Sequence, residues 1–362
     1  MQVLTFIIEN VSVFLGMRKS TKKQENIRRY ILELIIDGKK GIAKKTSEAF
    51  GVSEMTVYRY LRSMQEEGIL TRNAEGYSLV KEIKCHNIGL GDGEEVEEDE
   101  VYRKYLESCV AEMPENVRRI WEYCFMEMMN NAIEHSGADL VTLLIIKDYM
   151  NTAVAIIDNG IGIFRKIQDF FAYKSVGEVM EELFKGKLTT DSKNHTGEGI
   201  FFTSRIMDYF AAISDNAVFT HDKYTDWKYD LTDHPEIAEK IDMDHGTVIF
   251  MRLSNYSKKT TKEIFDEYAD IEGGFIRTRI PLKNIYETYP VSRSQAKRLS
   301  SRFDSFEEVE LDFDGVDEIG QGFAHELFVK YADLHPETRL IPIHTNTTID
   351  RMLHHVNAGQ YK

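Results

Sequence analysis

Few of the residues that stiffen or cross-link a chain are present. Six prolines and two tryptophans are spread over 362 residues, which excludes a proline-rich spacer. The three cysteines, Cys85, Cys109 and Cys124, are odd in number and never at metal-ligand spacing. They argue against a disulfide framework and fit a reducing, cytoplasmic setting. No apolar run reaches the roughly 20 residues that a bilayer requires. The opening MQVLTFIIENVSVFLGM is interrupted by Glu9 and Asn10 and has no basic flank before it. Met17 is the expected start, with residues 1–16 peripheral to the fold, and no membrane partner is expected. Bases are also in short supply: 45 Lys and Arg stand against 60 Asp and Glu, leaving −15. A chain coated evenly with nucleic-acid-binding charge is excluded. There is no Walker A sequence, no Ser-His-Asp arrangement, no cluster of metal ligands among the eleven histidines, and no repeat at solenoid periods.

What remains is an ordinary folded composition, 42% hydrophobic and 29% charged, long enough for two or three domains. Charge is unevenly placed. Met17 to Cys85 carries 15 bases and 9 acids, a local +6, whereas His86 to Glu100 carries 7 acids and neither Lys nor Arg. The acidic stretch 84–100 reads as a linker. Before it lie three helical patterns and a hairpin. After it come a helix and the β-branched runs VTLLIIKD, TAVAIIDN and GTVIFMRL, which predict strands. From Tyr286 on, strand and helix alternate through VELDF, QGFAHELFVKYADL, LIPIHTN and TIDRMLHHV, a small α/β layer.

In the N-terminal stretch, Gly51 stands where a left-handed residue would end a helix, and Ser53 where the next needs an N-cap. Val57, Leu61 and Met64 make a buried stripe at helical spacing. Glu54, Met55, Thr56, Tyr58, Arg59 and Arg62 are left facing outward, and Asn73-Ala74-Glu75-Gly76 reads as a hairpin turn. The segment resembles the winged helix-turn-helix of bacterial regulators over about 60 residues. The resemblance implies DNA binding through residues 21–83, with Ser53, Thr56, Tyr58, Arg59 and Arg62 at the groove. A three-helix scaffold for protein contacts is the alternative.

The central signal is CFMEMMNNAIEHS, on a helix expected to begin at Pro114 and stop at Gly137. Glu127, Asn131 and Glu134 fall at i, i+4 and i+7, hence on one face. A carboxylate one turn from a carboxamide can orient water and hold a hard cation. Asp158-Asn159-Gly160-Ile161-Gly162 follows a strand, Thr196-Gly197-Glu198-Gly199 opens a helix, and Gly246-Thr247 opens another strand. Glycines at a helix N-terminus expose amides to phosphate.

These four elements, in this order over about 130 residues, resemble the GHKL ATP-binding fold (the Bergerat fold). Gyrases, mismatch-repair and heat-shock chaperone ATPases, sensor histidine kinases and anti-sigma-factor kinases share it, and NAIEHS is most similar to the last. The resemblance implies ATP and Mg²⁺ as cofactors. Asn131 would hold the metal, and Asp158 would accept from the adenine amino group with Thr247 in support. Gly160 and Gly162 would shape the adenine pocket, while Thr196, Gly197 and Gly199 would meet phosphate. Glu127 would be the general base of any hydrolysis. Two departures stand out, Glu198 beside the phosphates and the large Phe201. Phe164 to His195 would form a lid, from which Lys185, Lys187 or Lys193 could reach phosphate. A histidine kinase is disfavoured, since no helical hairpin with a phosphoacceptor His precedes the module.

The C-terminal stretch resembles a STAS-like domain over about 75 residues. Its Glu318-Ile319-Gly320-Gln321-Gly322-Phe323 loop holds no Ser or Thr, so a phosphoswitch of the STAS-antagonist kind is not expected there.

The expected architecture is multidomain α/β: an N-terminal extension (1–20), a winged helix-turn-helix (21–83), an acidic linker (84–100), a GHKL α/β sandwich (101–255), a connector (256–285) and a small STAS-like α/β domain (286–362). The expected function is that of a cytoplasmic regulator in which Mg-ATP binding controls DNA binding. The STAS-like domain would make cis or partner contacts, and a homodimer is left open. A serine/threonine protein kinase acting in trans, or a slow ATPase switch, is the alternative.

Overall fold

The computed structural model describes residues 22–74, 76–91, 96–188, 197–220, 246–269, 274–286 and 289–356. The extension 1–20, Thr196 and Lys193 lie outside the described residues. The chain divides into two compact units, the first comprising residues 1–82 with 148–150 and the second the rest.

The first unit holds α1 (Lys22–Ile36), α2 (Ile42–Phe50), α3 (Glu54–Glu66) and the hairpin β1 (Leu70–Arg72) and β2 (Tyr77–Leu79). Helix α2 ends because Gly51 takes the left-handed conformation at φ 62°, its amide bonding to the Ser47 carbonyl at 3.0 Å. Two residues later the Ser53 hydroxyl accepts from the Thr56 amide and starts α3. Val57, Leu61 and Met64 of α3 are buried with Ile27, Ile31 and Leu32 of α1. An Arg28–Glu67 ion pair ties α1 to the end of α3.

In the second unit a six-stranded sheet has the order β3-β4-β5-β8-β6-β7. Its strands are β3 (Glu82–Gly89), β4 (Leu140–Lys147), β5 (Asn151–Asp158), β6 (Tyr209–Ser214), β7 (Ala217–Thr220) and β8 (Thr247–Ser254). The β4–β5, β5–β8, β8–β6 and β6–β7 pairs are antiparallel. Side chains alternate between faces. Val141, Leu143, Ile145, Val154, Ile156, Ile249 and Met251 join the core that contains α4 (Glu115–Asn130). Leu144, Ala153, Ala155, Val248 and Phe250 form a second buried cluster. Burial of both faces explains why these strands read as continuous apolar runs rather than alternating ones.

The helices α5 (Ile163–Phe171), α6 (Val176–Lys185) and α7 (Gly199–Ile206) contribute Phe164, Leu183 and Phe202 to the α4 core. The remaining elements used below are α8 (Thr261–Tyr268), β9 (Arg277–Pro281), α9 (Arg293–Leu299), β10 (Glu308–Asp312), α10 (Gln321–His325), β11 (Arg339–Ile343) and α11 (Thr347–His355). Strands β11, β10 and β9 form a parallel sheet in that order.

Two sequence expectations are corrected. The stretch 84–100 is not an unstructured linker: β3 runs through it to Gly89 as an edge strand of the large sheet, and Glu98–Val101 is helical. The acids of this stretch all follow the strand, from Asp92 to Glu100, and residues 84–89 are held by pairing rather than by a pattern of their own. The connector 256–285 contains α8 and also β9, which belongs to the C-terminal sheet. That sheet therefore begins before residue 286.

Candidate functional site

The second unit contains a cavity of about 280 Å³. Helix α4 and the π turn that continues it bring Glu127 and Asn131 to its wall, the end of β5 brings Asp158, and the β5–α5 turn brings Gly162. The start of α7 brings Gly197, Glu198 and Gly199, and the start of β8 brings Thr247. Asp158 and Thr247, 89 apart in sequence, meet because β5 and β8 are paired in register and place them directly opposite each other.

Asp158 is buried at 6% exposure. Its Oδ1 accepts from the Gly160 amide at 3.0 Å and the Thr247 amide at 3.2 Å. Burial pushes its carboxyl above the usual range, and these amides together with the Thr247 hydroxyl oppose the shift. The Thr247 hydroxyl in turn accepts from the Ile163 amide at 3.0 Å, fixing the first turn of α5. A buried carboxylate in the wall of a concave site can accept from a planar amine donor.

Glycine leaves room here for neighbouring side chains, and at Gly162 it also permits the left-handed backbone. A Cβ on Gly162, at φ 85°, would lie 2.6 Å from the Ser214 hydroxyl, and one on Gly199 would lie 2.2 Å from Oε2 of Glu127. The Glu127 carboxylate is therefore packed against the first residue of α7, at the end of the helix that attracts anions. Gly160 does not line the cavity. A Cβ there would lie 2.2 Å from the Ser136 carbonyl, so Gly160 lets the turn close on the end of the α4 segment.

The shared face expected for Glu127, Asn131 and Glu134 holds for the first two alone. Asn131–His135 forms a π turn, which abandons the 3.6-residue spacing, and Glu134 is exposed and not in the lining. Lys185 is likewise not a phosphate contact. It is fully buried, paired to Glu182 and bonded to the Ser301 carbonyl at 2.7 Å. Lys187 donates to the Ser305 carbonyl at 2.9 Å and lies over the Phe275 and Phe306 rings. Burial lowers its pKa, with the Glu198 charge opposing the shift.

Lys166 is the residue that sequence reasoning missed. It lines the cavity and donates to the His135 carbonyl at 2.6 Å. The only available signal was its place one turn into the helix after Gly162. Phe201 is large because it packs edge-on to Phe202 and Tyr268 and tilted to Phe275, with the Arg205 guanidinium over its ring at 3.3 Å.

In the first unit, Tyr58, Arg59 and Arg62 are exposed on α3 beside Met55. Arg59 donates to the Thr56 hydroxyl at 3.1 Å and Arg62 pairs with Glu66 at 2.9 Å. Ser53 caps the helix they stand on.

Among the described residues, no group of His, Cys, Asp and Glu is arranged to hold a metal, and no helix is long and apolar enough to cross a membrane. Residues 295–350 match the family model of a STAS-like domain of unknown function (DUF4325). The C-terminal part of this mixed α/β, multi-sheet chain is therefore a STAS-like domain. No curated protein matches the chain.

Proposed function

We propose that the chain is a Mg-ATP-binding regulator. In this reading a GHKL-type module, a multi-segment nucleotide fold, controls an N-terminal winged helix that binds DNA and a C-terminal STAS-like domain. One observation carries the nucleotide half: Glu127, Asn131, Asp158, Gly162, Gly197, Gly199 and Thr247 surround one cavity. Asp158 would accept from the adenine amino group. The amides at the start of α7 would meet the phosphates, with Thr196 beside them in sequence.

The cavity's charge supports a divalent cation. Its lining includes the carboxylates Glu127, Asp158 and Glu198 against the ammonium of Lys166. A polyphosphate entering that field needs further positive charge, which Mg²⁺ held through the Asn131 side-chain oxygen would supply. DNA recognition would use Ser53, Thr56, Tyr58, Arg59 and Arg62 of the capped helix, in a segment whose sequence carries a net +6. The coupling would be a population shift: ATP favours one arrangement in proportion to its differential affinity for it.

The place of Glu127 against Gly199 supports a second reading, in which phosphate chemistry occurs. Glu127 would then orient and deprotonate an attacking water in a slow ATPase, or a hydroxyl in a protein kinase acting in trans. The deciding experiment incubates the purified chain with labelled ATP and Mg²⁺ and follows free phosphate and labelled protein. Binding without either product supports the switch. Turnover that Glu127→Ala abolishes while ATP binding survives supports the ATPase. No binding at all removes the nucleotide reading.

A further inference from the structure

Helix α6 ends at the cavity wall, where Leu183, Gly186 and Leu188 line it. The segment 182–187 is gripped from the C-terminal sheet and the STAS-like domain. Arg302 donates through Nη1 to Glu182 Oε2 at 2.7 Å and through Nη2 to the Gly186 carbonyl at 3.1 Å and the Lys187 carbonyl. Lys185 reaches the Ser301 carbonyl, and the Ser301 hydroxyl donates back to Glu182 at 2.8 Å. Thr278 of β9 donates to the Lys185 carbonyl at 2.7 Å. Glu182 and Lys185 are 3% and 0% exposed, so their ends of these bonds are shielded from water, while the Arg302 side chain is partly exposed.

The grip continues to the phosphate end of the cavity. The residue after Lys187, Leu188, donates its amide to the Gly197 carbonyl at 3.2 Å. The two backbones are so close that a Cβ on Gly197 would lie 2.6 Å from the Leu188 carbonyl carbon. Gly197 is separated only by the N-cap Glu198 from Gly199, the first residue of α7. A guanidinium bridging two successive carbonyls fixes the peptide planes of 186–188, and those planes set the position of Gly197.

We propose that Arg302 is a positioning residue for the phosphate-binding end of the cavity, so that the STAS-like domain sets the affinity of the module for Mg-ATP. The proposal rests on the nucleotide reading above. Arg302 touches no ligand itself. It holds the 186–188 backbone, and any partner or modification that pulled the 298–305 segment away would loosen the amides at 197–199 while leaving Asp158 in place. Arg suits the post because its planar fork supplies several donors at fixed angles, where lysine offers one flexible point charge.

The test compares wild type, Arg302→Ala, Arg302→Lys and Asp158→Asn by calorimetric titration with Mg-ATP. Hydrogen exchange is followed in parallel at residues 197–206 and 151–158. Arg302→Ala is expected to weaken Mg-ATP binding about tenfold, within the usual range of site-to-site coupling. Arg302→Lys should fall between it and wild type. Both should speed exchange at 197–206 and leave 151–158 unchanged. Unchanged ATP affinity in Arg302→Ala overturns the proposal. So does faster exchange in both segments for both variants, because that describes loss of fold rather than positioning. If wild type and Asp158→Asn both fail to bind Mg-ATP, the nucleotide reading itself falls. Exchange at 197–206 then still decides whether Arg302 holds this backbone.

Discussion

The two candidate sites are built in opposite ways. The outward face of α3 is a single 13-residue helix, with its cap, buried stripe and exposed Arg59 and Arg62 all written within one local stretch. The cavity draws on the end of α4, the turn after β5, the starts of α7 and β8, and the far end of α6. A site on one helix should tolerate change elsewhere and fail one side chain at a time. A site assembled from distant segments should fail as a whole when the backbone that joins them is disturbed.

The sharpest way to break that contrast is Gly246→Ala. Gly246 stands at φ 81°, and a Cβ would lie 2.0 Å from the Asp158 carbonyl oxygen. Backbone cannot yield as a side-chain tip can, so a loss of about 3–5 kcal/mol is expected, the range of strong overpacking and backbone strain. Thermal unfolding should show it, and Mg-ATP binding should vanish with it. Asp158→Asn comes next. It keeps an acceptor for the Gly160 and Thr247 amides, so the fold should survive. Loss of a charge-assisted hydrogen bond should cost ATP about 1.5–3 kcal/mol, readable by calorimetry.

On the α3 face, Arg59→Ala should cost DNA about 1–3 kcal/mol if it meets a base edge, and adding Arg62→Ala should deepen the loss and flatten the salt dependence. Anisotropy titration on genomic fragments at two salt concentrations measures both, while ATP affinity stays unchanged. If DNA binding by the whole chain is no stronger than by residues 83–362, the face is a protein-contact surface.

Two smaller effects sharpen the comparison. Ser53→Ala should lose about 1 kcal/mol through its cap, with exchange quickened in α3 and not in β5. Glu181 lies 7% exposed on α6, and burial raises its carboxyl to about 7 against the pull of Lys185 and Arg298, with Glu182 and Glu178 adding to the rise. A folded-state value above the unfolded one means that the folded chain holds the extra proton. This contribution to stability is complete below about 4.5 and is lost as pH rises through about 7. Glu181→Gln should therefore stabilise the chain by on the order of 1 kcal/mol at pH 8 and by little at pH 5. Melting curves at the two pH values check it.

Much of the local structure was legible. Gly51, Ser53 and the Val57–Leu61–Met64 stripe declare α2 and α3 because a cap or a buried spacing is a property of neighbouring residues. The runs containing Val141, Val154 and Val248 announce strands by composition. The cavity residues could be nominated from their short motifs, although spacing alone misplaced Glu134, which the π turn after Asn130 rotates outward.

What the sequence by itself determined is therefore the set of elements closed by local forces: caps, turns, buried stripes and apolar strands. It also held the residue types that line the cavity of the proposed nucleotide site. Only the tertiary structure decided that the stretch before Leu90 pairs as a sheet edge and that β9 joins the C-terminal sheet. It likewise decided that Lys166 faces the cavity and that Lys185 turns away into Glu182 and Ser301. The physical reason is common to all four. Each depends on a partner far away in the chain, and a lysine's sequence neighbours do not reveal whether the carbonyl or carboxylate that will receive it belongs to water, to a ligand or to another part of the fold.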